Sequence, residues 1–140
     1  MGKLITNTNC HCLKMRRSAE NVIRFYDRKL SPSGVTVRQY SLLHQVGLHP
    51  GCSVSELAEL AELERSTLAR SLKSLFSSGY LEDKRKPGTR DKRLYLTESG
   101  KRTCSKAGKL WEEAQHEYEE AIGAETVKAL ENALLKLQSL

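Results

Sequence analysis

The chain has 140 residues, of which 39% are hydrophobic and 6% aromatic, enough for a single domain with a modest core. It contains no run of 18 or more apolar residues and no apolar segment behind a basic start. We therefore expect no membrane span, no signal peptide and a cytoplasmic location. Four scattered cysteines are too few for a disulfide scaffold and are predicted to be thiols.

The net charge of +6 is unevenly distributed along the chain. Residues 1–110 contain 21 Lys and Arg against 10 Asp and Glu, whereas residues 111–140 contain 2 against 7. A basic body of this kind suits a polyanionic partner, although charge alone is weak evidence for one.

The first third of the chain predicts two helices. Residues 10–30 are rich in apolar side chains and contain no helix breaker, and residues 31–34 (Ser-Pro-Ser-Gly) end this first helix. Thr36 with Gln39 three residues later is typical of a capping box that opens a second helix. Residues 49–51 (His-Pro-Gly) close it.

Two short amphipathic helices follow with a tight junction between them. Ser53 and Glu56 predict a second capping box at the start of helix three. The apolar positions of that helix recur at i, i+3, i+4 and i+7 and are Val54, Leu57, Ala58 and Ala61. Helix four is predicted from about Arg65 to Ser78, with Gly79 placed to end it. Its apolar stripe is Leu68, Leu72, Leu75 and Phe76.

A basic hairpin comes next. Residues 80–81 and 94–96 predict its two strands, and residues 84–93 between them contain six Lys or Arg and one Asp. Thr97 is predicted to cap a fifth helix that runs to about residue 121.

The last part of the chain predicts a dimerisation surface. Gly123 separates the fifth helix from a sixth, and both carry apolar residues beyond what a small helical core needs. These include Leu110, Trp111, Tyr118, Ile122 and a row of leucines. Left uncovered, that surface would be an unusually large exposed patch. A two-fold dimer implies a pseudo-palindromic site with half-sites about one helical turn apart.

The exposed face of helix four and the basic hairpin together predict binding to double-stranded DNA. Short side chains let a helix enter the major groove, where an Arg such as Arg70 reaches guanine, while Ser66 and Thr67 suit phosphates. Cations on the hairpin suit an adjacent minor groove. The candidate DNA-binding residues are Ser66, Thr67, Arg70, Lys73 and Ser74 on the helix and Arg90, Lys92 and Arg93 on the hairpin.

These residues carry a resemblance to the MarR family of winged-helix regulators. Its motifs are Val54-x-x-Leu57-Ala58, Arg65-Ser66-Thr67-Leu68, Leu75-x-x-x-Gly79-Tyr80-Leu81, and Asp91-x-Arg93 followed by Leu96-Thr97-Glu98-x-Gly100. The resemblance covers nearly the whole chain. It implies a homodimer in which Asp91 orients Arg93 and Arg93 enters the minor groove. Glu64 departs from the family, where an Asp often caps the recognition helix, and Glu is a poorer cap.

The predicted fold is mainly α with a small β-hairpin wing, in a single domain over residues 1–140. The winged helix-turn-helix is predicted over residues 35–97. Dimerisation helices are predicted at residues 10–30 and 98–140. The resemblance implies that these helices interlock between two copies.

The segment Cys10-His11-Cys12 suggests a thiol sensor. Nearby cations and a helix N-terminus stabilise a thiolate, the reactive form of cysteine. The chain resembles the OhrR-type peroxide sensors of the family, in which the reactive cysteine corresponds to Cys12 and one supporting tyrosine to Tyr26. The second supporting tyrosine falls on Val37, so half of that support is missing.

Three other interpretations stay open. Cys10 and Cys12 are small enough to pack at a dimer interface, and with His11 they form a partial ligand set for zinc or another thiophilic metal. The family also commonly binds small aromatic or anionic effectors between its helical and winged-helix parts. Arg24 and Tyr26 are the candidate contacts for such an effector.

The sequence does not favour an enzyme. It has no nucleophile elbow, phosphate-binding loop or zinc-protease motif, and we expect no cofactor. The alternative to DNA binding is a winged helix used as a protein-interaction module, which would have no need for the basic hairpin. We therefore predict a dimeric transcription regulator, a repressor rather than an activator, that an effector or thiol oxidation releases from DNA.

Overall fold

The computed structural model describes residues 9–140 and contains the predicted elements in the predicted order, mainly helical with one antiparallel hairpin. The elements are α1 (His11–Leu30), a 3-10 helix (Ser31–Ser33), α2 (Val37–Leu48), α3 (Val54–Ala61), α4 (Arg65–Ser77), β1 (Leu81–Asp83), β2 (Leu94–Leu96), α5 (Glu98–Ile122) and α6 (Ala124–Leu137). Within this part of the chain, no helix is long and apolar enough to cross a membrane. Residues 1–8 of the predicted domain lie outside the described residues.

The connection between α1 and α2 follows from local sequence signals. Gly34 adopts a left-handed conformation with φ of 83° after the short 3-10 helix. The Thr36 hydroxyl accepts a hydrogen bond from the Gln39 amide at 3.2 Å, and the Gln39 side chain accepts one from the Thr36 amide at 2.9 Å. The predicted capping box is therefore confirmed.

The core lies between α2, α3, α4 and the hairpin, with α1 and α5 closing it. Its fully buried large side chains are Leu30, Leu42, Leu43, Val46, Leu57, Leu68, Leu75 and Leu94. Burial of one such side chain contributes about 1.5–3 kcal/mol to stability. Because Leu68, Leu72 and Leu75 all face this core, the opposite face of α4 is held toward solvent.

Only one of the two hydrogen bonds of the predicted capping box forms at the start of α3. The Ser53 hydroxyl accepts a hydrogen bond from the Glu56 amide at 3.1 Å, as expected. The Glu56 side chain does not return to Ser53. Its carboxylate lies 3.7 Å from Nη1 of Arg93 instead, an attraction between two charges that the local spacing does not reveal.

The hairpin is extended by the segment that precedes α3. Leu81 pairs with Leu96 and Asp83 with Leu94, so β1 begins one residue later than predicted. Leu94 also exchanges backbone hydrogen bonds with Gly51 and Cys52 on its other edge. Cys52 is buried there, and burial raises the pKa of its thiol. It is therefore a structural residue rather than a reactive one.

The first turn of α5 packs tightly against the chain that leads into β1. The Thr97 hydroxyl accepts a hydrogen bond from the Gly100 amide at 2.9 Å and donates one to the Gly79 carbonyl at 2.6 Å. The Thr97 amide donates to the Tyr80 carbonyl at 3.1 Å. A Cβ atom on Gly100 would lie only 2.1 Å from that carbonyl oxygen, so the contact requires glycine.

We expect Gly100→Ala to destabilise the fold by about 1–3 kcal/mol, because the new methyl group overlaps a backbone atom and forces a main-chain shift. Thermal or urea unfolding measures the change. Gly108→Ala in the same helix is the control, since its Cβ would meet the Tyr40 side chain, with the hydroxyl nearest at 3.3 Å, and no backbone atom that close. Equal midpoints for the two variants would contradict the predicted role of Gly100.

Candidate nucleic-acid interface

The exposed face of α4 carries the predicted polar residues. Ser66, Arg70, Lys73 and Ser74 are exposed, and Thr67 is half-buried. The Glu64 side chain makes no capping hydrogen bond at the start of the helix, as its type predicts. Gly79 follows the helix with φ of 76°, in the predicted ending position. The helix therefore presents a continuous polar surface of short and basic side chains.

One edge of α4 borders a crevice against the helical part of the chain. We call this cavity of about 430 Å³ the α1–α4 crevice; it is lined by Ile23, Asp27, Thr36, Val37, Arg38, Gln39, Arg70, Ser71 and Ser74. The Gln39 amide group donates a hydrogen bond to the Ser74 hydroxyl at 3.1 Å, and the Asp27 carboxylate accepts one from the Val37 amide at 2.8 Å. Arg70 and Ser74 therefore adjoin both solvent and the helical part.

The other edge of α4 meets the wing. Lys73 and Lys92 line a second cavity of about 370 Å³. The Lys92 ammonium lies 5.0 Å from the centroid of the Phe76 ring, within range of a cation–π interaction. This contact connects the hairpin to α4, so the basic residues of both elements belong to one surface.

The wing is organised by Asp83, which sequence analysis did not identify. One oxygen of its carboxylate accepts hydrogen bonds from the amides of Arg85 and Arg93, each at 3.0 Å. Its other oxygen lies 3.1 Å from Nε of Arg85. Partial burial raises the pKa of Asp83, but these amide hydrogen bonds and the charges of Arg85 and Lys92 outweigh it and lower that pKa.

Asp91, predicted to orient Arg93, is exposed at the tip side of the hairpin. Among the described residues, the carboxylates that contact Arg93 are Asp83, at its backbone amide, and Glu56, at its guanidinium. The orienting role of Asp91 stays a prediction for the DNA-bound form.

The Arg93 side chain rests against the start of α3. Its guanidinium donates a hydrogen bond to the Gly51 carbonyl at 3.3 Å and lies 3.7 Å from the Glu56 carboxylate. Both side chains of this ion pair are at least half exposed, so the pair contributes little, about 0–1 kcal/mol. Arg93 is therefore positioned near α3 by contacts that a phosphate can replace.

The cysteines divide into two exposed and two sheltered residues, and none of the four forms a disulfide bond. Cys10 immediately precedes α1 and Cys12 is its second residue, as predicted. Cys104 is half-buried, and burial raises the pKa of its thiol, which disfavours the reactive thiolate. No group of three or more His, Cys, Asp and Glu side chains that could hold a metal occurs within residues 9–140.

Cys12 and Tyr26 are not brought together within one chain. They lie on the same helix, and 14 residues of α-helix separate them by about 21 Å. The Tyr26 hydroxyl instead donates a hydrogen bond to the Gln115 side chain of α5. Burial, with the neighbouring Tyr118 and Glu119, raises the pKa of Tyr26. A contact between Tyr26 and Cys12 would have to join two copies of the chain.

The structure also separates the two candidate effector contacts. Arg24 is exposed and donates a hydrogen bond to the Asn21 side chain at 2.5 Å. Tyr26 packs toward α5, with its ring centroid 6.3 Å from that of Tyr118. Two residues apart on a helix, their side chains point in nearly opposite directions. The α1–α4 crevice is lined by their neighbours Ile23 and Asp27 instead.

Apolar side chains remain exposed at both ends of the helical part. They are Leu13, Met15, Val22 and Ile23 on α1 and Ile122, Leu130, Leu134, Leu135 and Leu137 toward the C-terminus. Not one residue of α6 is buried in the single chain. Ile122 and the leucines of α6 are exposed as predicted, but the prediction was wrong for three other residues: Leu110 and Trp111 pack against the core of the single chain, and Tyr118 packs against Tyr26.

Comparison with known proteins identifies the class of protein. The sequence model of the MarR family matches residues 33–94. The HTH-type transcriptional regulator BilQ of Clostridium symbiosum (strain WAL-14163) is 31% identical over 121 residues, which are 84% of this chain and 83% of that protein. The chain therefore belongs to the MarR family and is a DNA-binding transcription regulator.

Two solved structures share the whole architecture. The M. tuberculosis transcriptional regulator MosR in complex with DNA is 32% identical, with a TM-score of 0.76 over 94% of this chain and 98% of that one. The transcriptional repressor CouR, bound to a 23-mer DNA duplex, is 24% identical with a TM-score of 0.79 over 92% of both chains. The winged-helix fold class predicted from the sequence is confirmed.

Proposed function

We propose that two copies of this chain bind a pseudo-palindromic operator in double-stranded DNA and repress transcription. The observation that carries this proposal is the continuity of the polar face of α4 with the basic wing, through the contact between Lys92 and Phe76. Residues 35–97 would form the winged helix-turn-helix. Residues 10–30 and 98–140 would form the dimerisation part of one domain over residues 1–140.

Each part of the surface has a role that follows from its chemistry. Arg70 would read base edges in the major groove, and Ser66 and Thr67 would bind phosphates near the start of α4. Lys73 and Ser74 would flank these contacts. Arg90, Lys92 and Arg93 on the wing would follow an adjacent minor groove, with Asp91 orienting Arg93 once DNA replaces its contacts to α3.

The dimer would set the spacing of the two recognition helices. The exposed apolar residues of α1 and α6 supply a surface that a second copy can cover. A two-fold arrangement places the helices about 34 Å apart, the length of one turn of DNA, and so requires an inverted repeat. We place this regulator in the cytoplasm, because that is where its DNA would be. We also propose that it has no catalytic role.

We propose two routes of release from DNA. A small effector in the α1–α4 crevice would lie against Arg70 and Ser74 and beside Ile23 and Asp27 of α1. Oxidation of the exposed Cys12 would change the start of α1. Effector binding or oxidation releases DNA only if it stabilises a conformation of the dimer in which the spacing of the two α4 helices no longer fits the operator.

The first experiment measures binding of the reduced and the peroxide-treated protein to a fluorescent duplex library at two salt concentrations. We expect a sequence-specific complex that weakens with salt, because phosphates contribute much of the affinity. If oxidation releases DNA, added thiol should restore binding. The release should be lost in Cys12→Ser but kept in the matched variant Cys104→Ser. Specific binding indifferent to peroxide would contradict the thiol route and leave the effector route. A folded dimer without specific binding would favour a protein-interaction module.

Arg70→Ala should weaken operator binding by roughly 1–3 kcal/mol and relax the preference at one base pair, because a bidentate contact to guanine is lost. Competition between duplexes that differ at single positions measures both effects. Lys109→Ala, which removes the same charge from α5, should leave the preference unchanged. An unaltered preference in Arg70→Ala would remove this residue from base readout.

Arg93→Ala should weaken binding to most sequences by a similar factor and reduce the salt dependence of affinity, since the wing is proposed to follow groove width and charge. Titrations over a range of salt concentrations, with operator and unrelated duplex side by side, measure the slope. A loss confined to a single base pair would contradict this role.

A further inference from the structure

A carboxylate joins the two ends of the wing loop, at the point where the loop leaves the strands β1 and β2. Asp83 is the last residue of β1, and its side chain is only 19% exposed. One of its oxygens accepts hydrogen bonds from two backbone amides, those of Arg85 and Arg93, on opposite sides of the loop 84–93. A single group thereby fixes both ends of a ten-residue loop.

Arg85 continues this connection toward the tip. Its Nε lies 3.1 Å from the second oxygen of Asp83, and its Nη1 donates a hydrogen bond to the Arg90 carbonyl at 2.9 Å. Beyond it, the Lys86 carbonyl accepts hydrogen bonds from the amide and hydroxyl of Thr89, which complete the turn. Through Arg85, the carboxylate of Asp83 therefore restrains Arg90 as well as Arg93.

We propose that Asp83 is a positioning residue for DNA recognition, which holds the wing so that Arg90 and Arg93 lie where the duplex meets them. The inference rests on the proposed function of the wing. The loop 84–93 carries six cations, and like charges on a flexible segment repel one another and extend it. Fixing the loop before binding lowers the conformational entropy that association must otherwise remove.

The sign of the charge gives this proposal a sharp test. Asp83 is a negative group on a surface that meets phosphates, so simple electrostatics predicts that its removal tightens DNA binding. A positioning role predicts the opposite. Like any aspartate of ordinary or lowered pKa, Asp83 is ionised at neutral pH, and the Arg93 and Arg85 amides with the charges of Arg85 and Lys92 lower its pKa further.

The experiment compares Asp83→Ala, Asp83→Asn and Glu82→Gln in the full-length, reduced protein. Glu82 is the matched control, because it neighbours Asp83 on β1 and pairs with Lys84 at 3.2 Å without reaching the loop amides. We expect Asp83→Ala to bind the operator about tenfold more weakly, the order expected when charge-assisted hydrogen bonds are lost. Asp83→Asn should be intermediate, since its oxygen still accepts from the amides. Glu82→Gln should bind equally or more tightly.

Amide hydrogen exchange in the free protein supplies a readout that does not depend on DNA. The Arg85 and Arg93 amides should exchange faster in Asp83→Ala than in Glu82→Gln. In the wild type their resonances should shift with acid at a pH below the usual range of an aspartate.

The outcomes separate the two proposals. If Arg93→Ala weakens DNA binding but Asp83→Ala does not, the positioning role of Asp83 is overturned and the wing contact stands. If Arg93→Ala and Asp83→Ala both bind normally, neither the proposed DNA contact of Arg93 nor the positioning role of Asp83 stands. Should Asp83→Ala not fold, the comparison of Asp83→Asn with Glu82→Gln decides in the same way.

Discussion

The close approach of α5 to the Tyr80 carbonyl is the constraint on which the rest of the arrangement depends. It exists because Gly100 has no side chain, and Thr97 adds hydrogen bonds to the same stretch of backbone. The long helix that reaches the dimerisation surface is thereby fixed to the base of the wing. A displacement of α5 would therefore also move the hairpin, since no flexible linker separates β2 from α5.

The proposed recognition helix, α4, contacts a different part of the chain along each of its two edges. The α1–α4 crevice joins one edge to the helical part, where the Gln39 side chain bonds to Ser74. The wing joins the other edge through Lys92 and Phe76. The buried leucines pack the third side of α4 against the core. The orientation of α4 therefore depends on where the helical part and the wing lie relative to each other. This geometry suits a regulator whose DNA contacts respond to events elsewhere in the chain.

Much of the fold could be predicted because its signals are local. The box at Thr36 and Gln39, the leucine stripe of α4 and the glycine after it each depend on residues within one or two turns. The mistaken predictions involve contacts between elements. Glu56 leaves Ser53 for an arginine 37 positions away, and Asp83 bonds across a loop, so neither partner is visible in the spacing. Arg24 and Tyr26 do not line the α1–α4 crevice, and the sequence of one helix does not say which of its residues face a cavity.

The lack of any buried residue in α6 has a consequence for the amount of protein that a cell must keep. Where a second copy supplies the missing cover, folding and association share one equilibrium, and the stability of each chain rises with its own concentration by mass action. Dilute chains would spend more time open and would be degraded sooner. A regulator built in this way has a lower limit on its useful abundance, and below that limit the pool would decline rather than persist as inactive monomer.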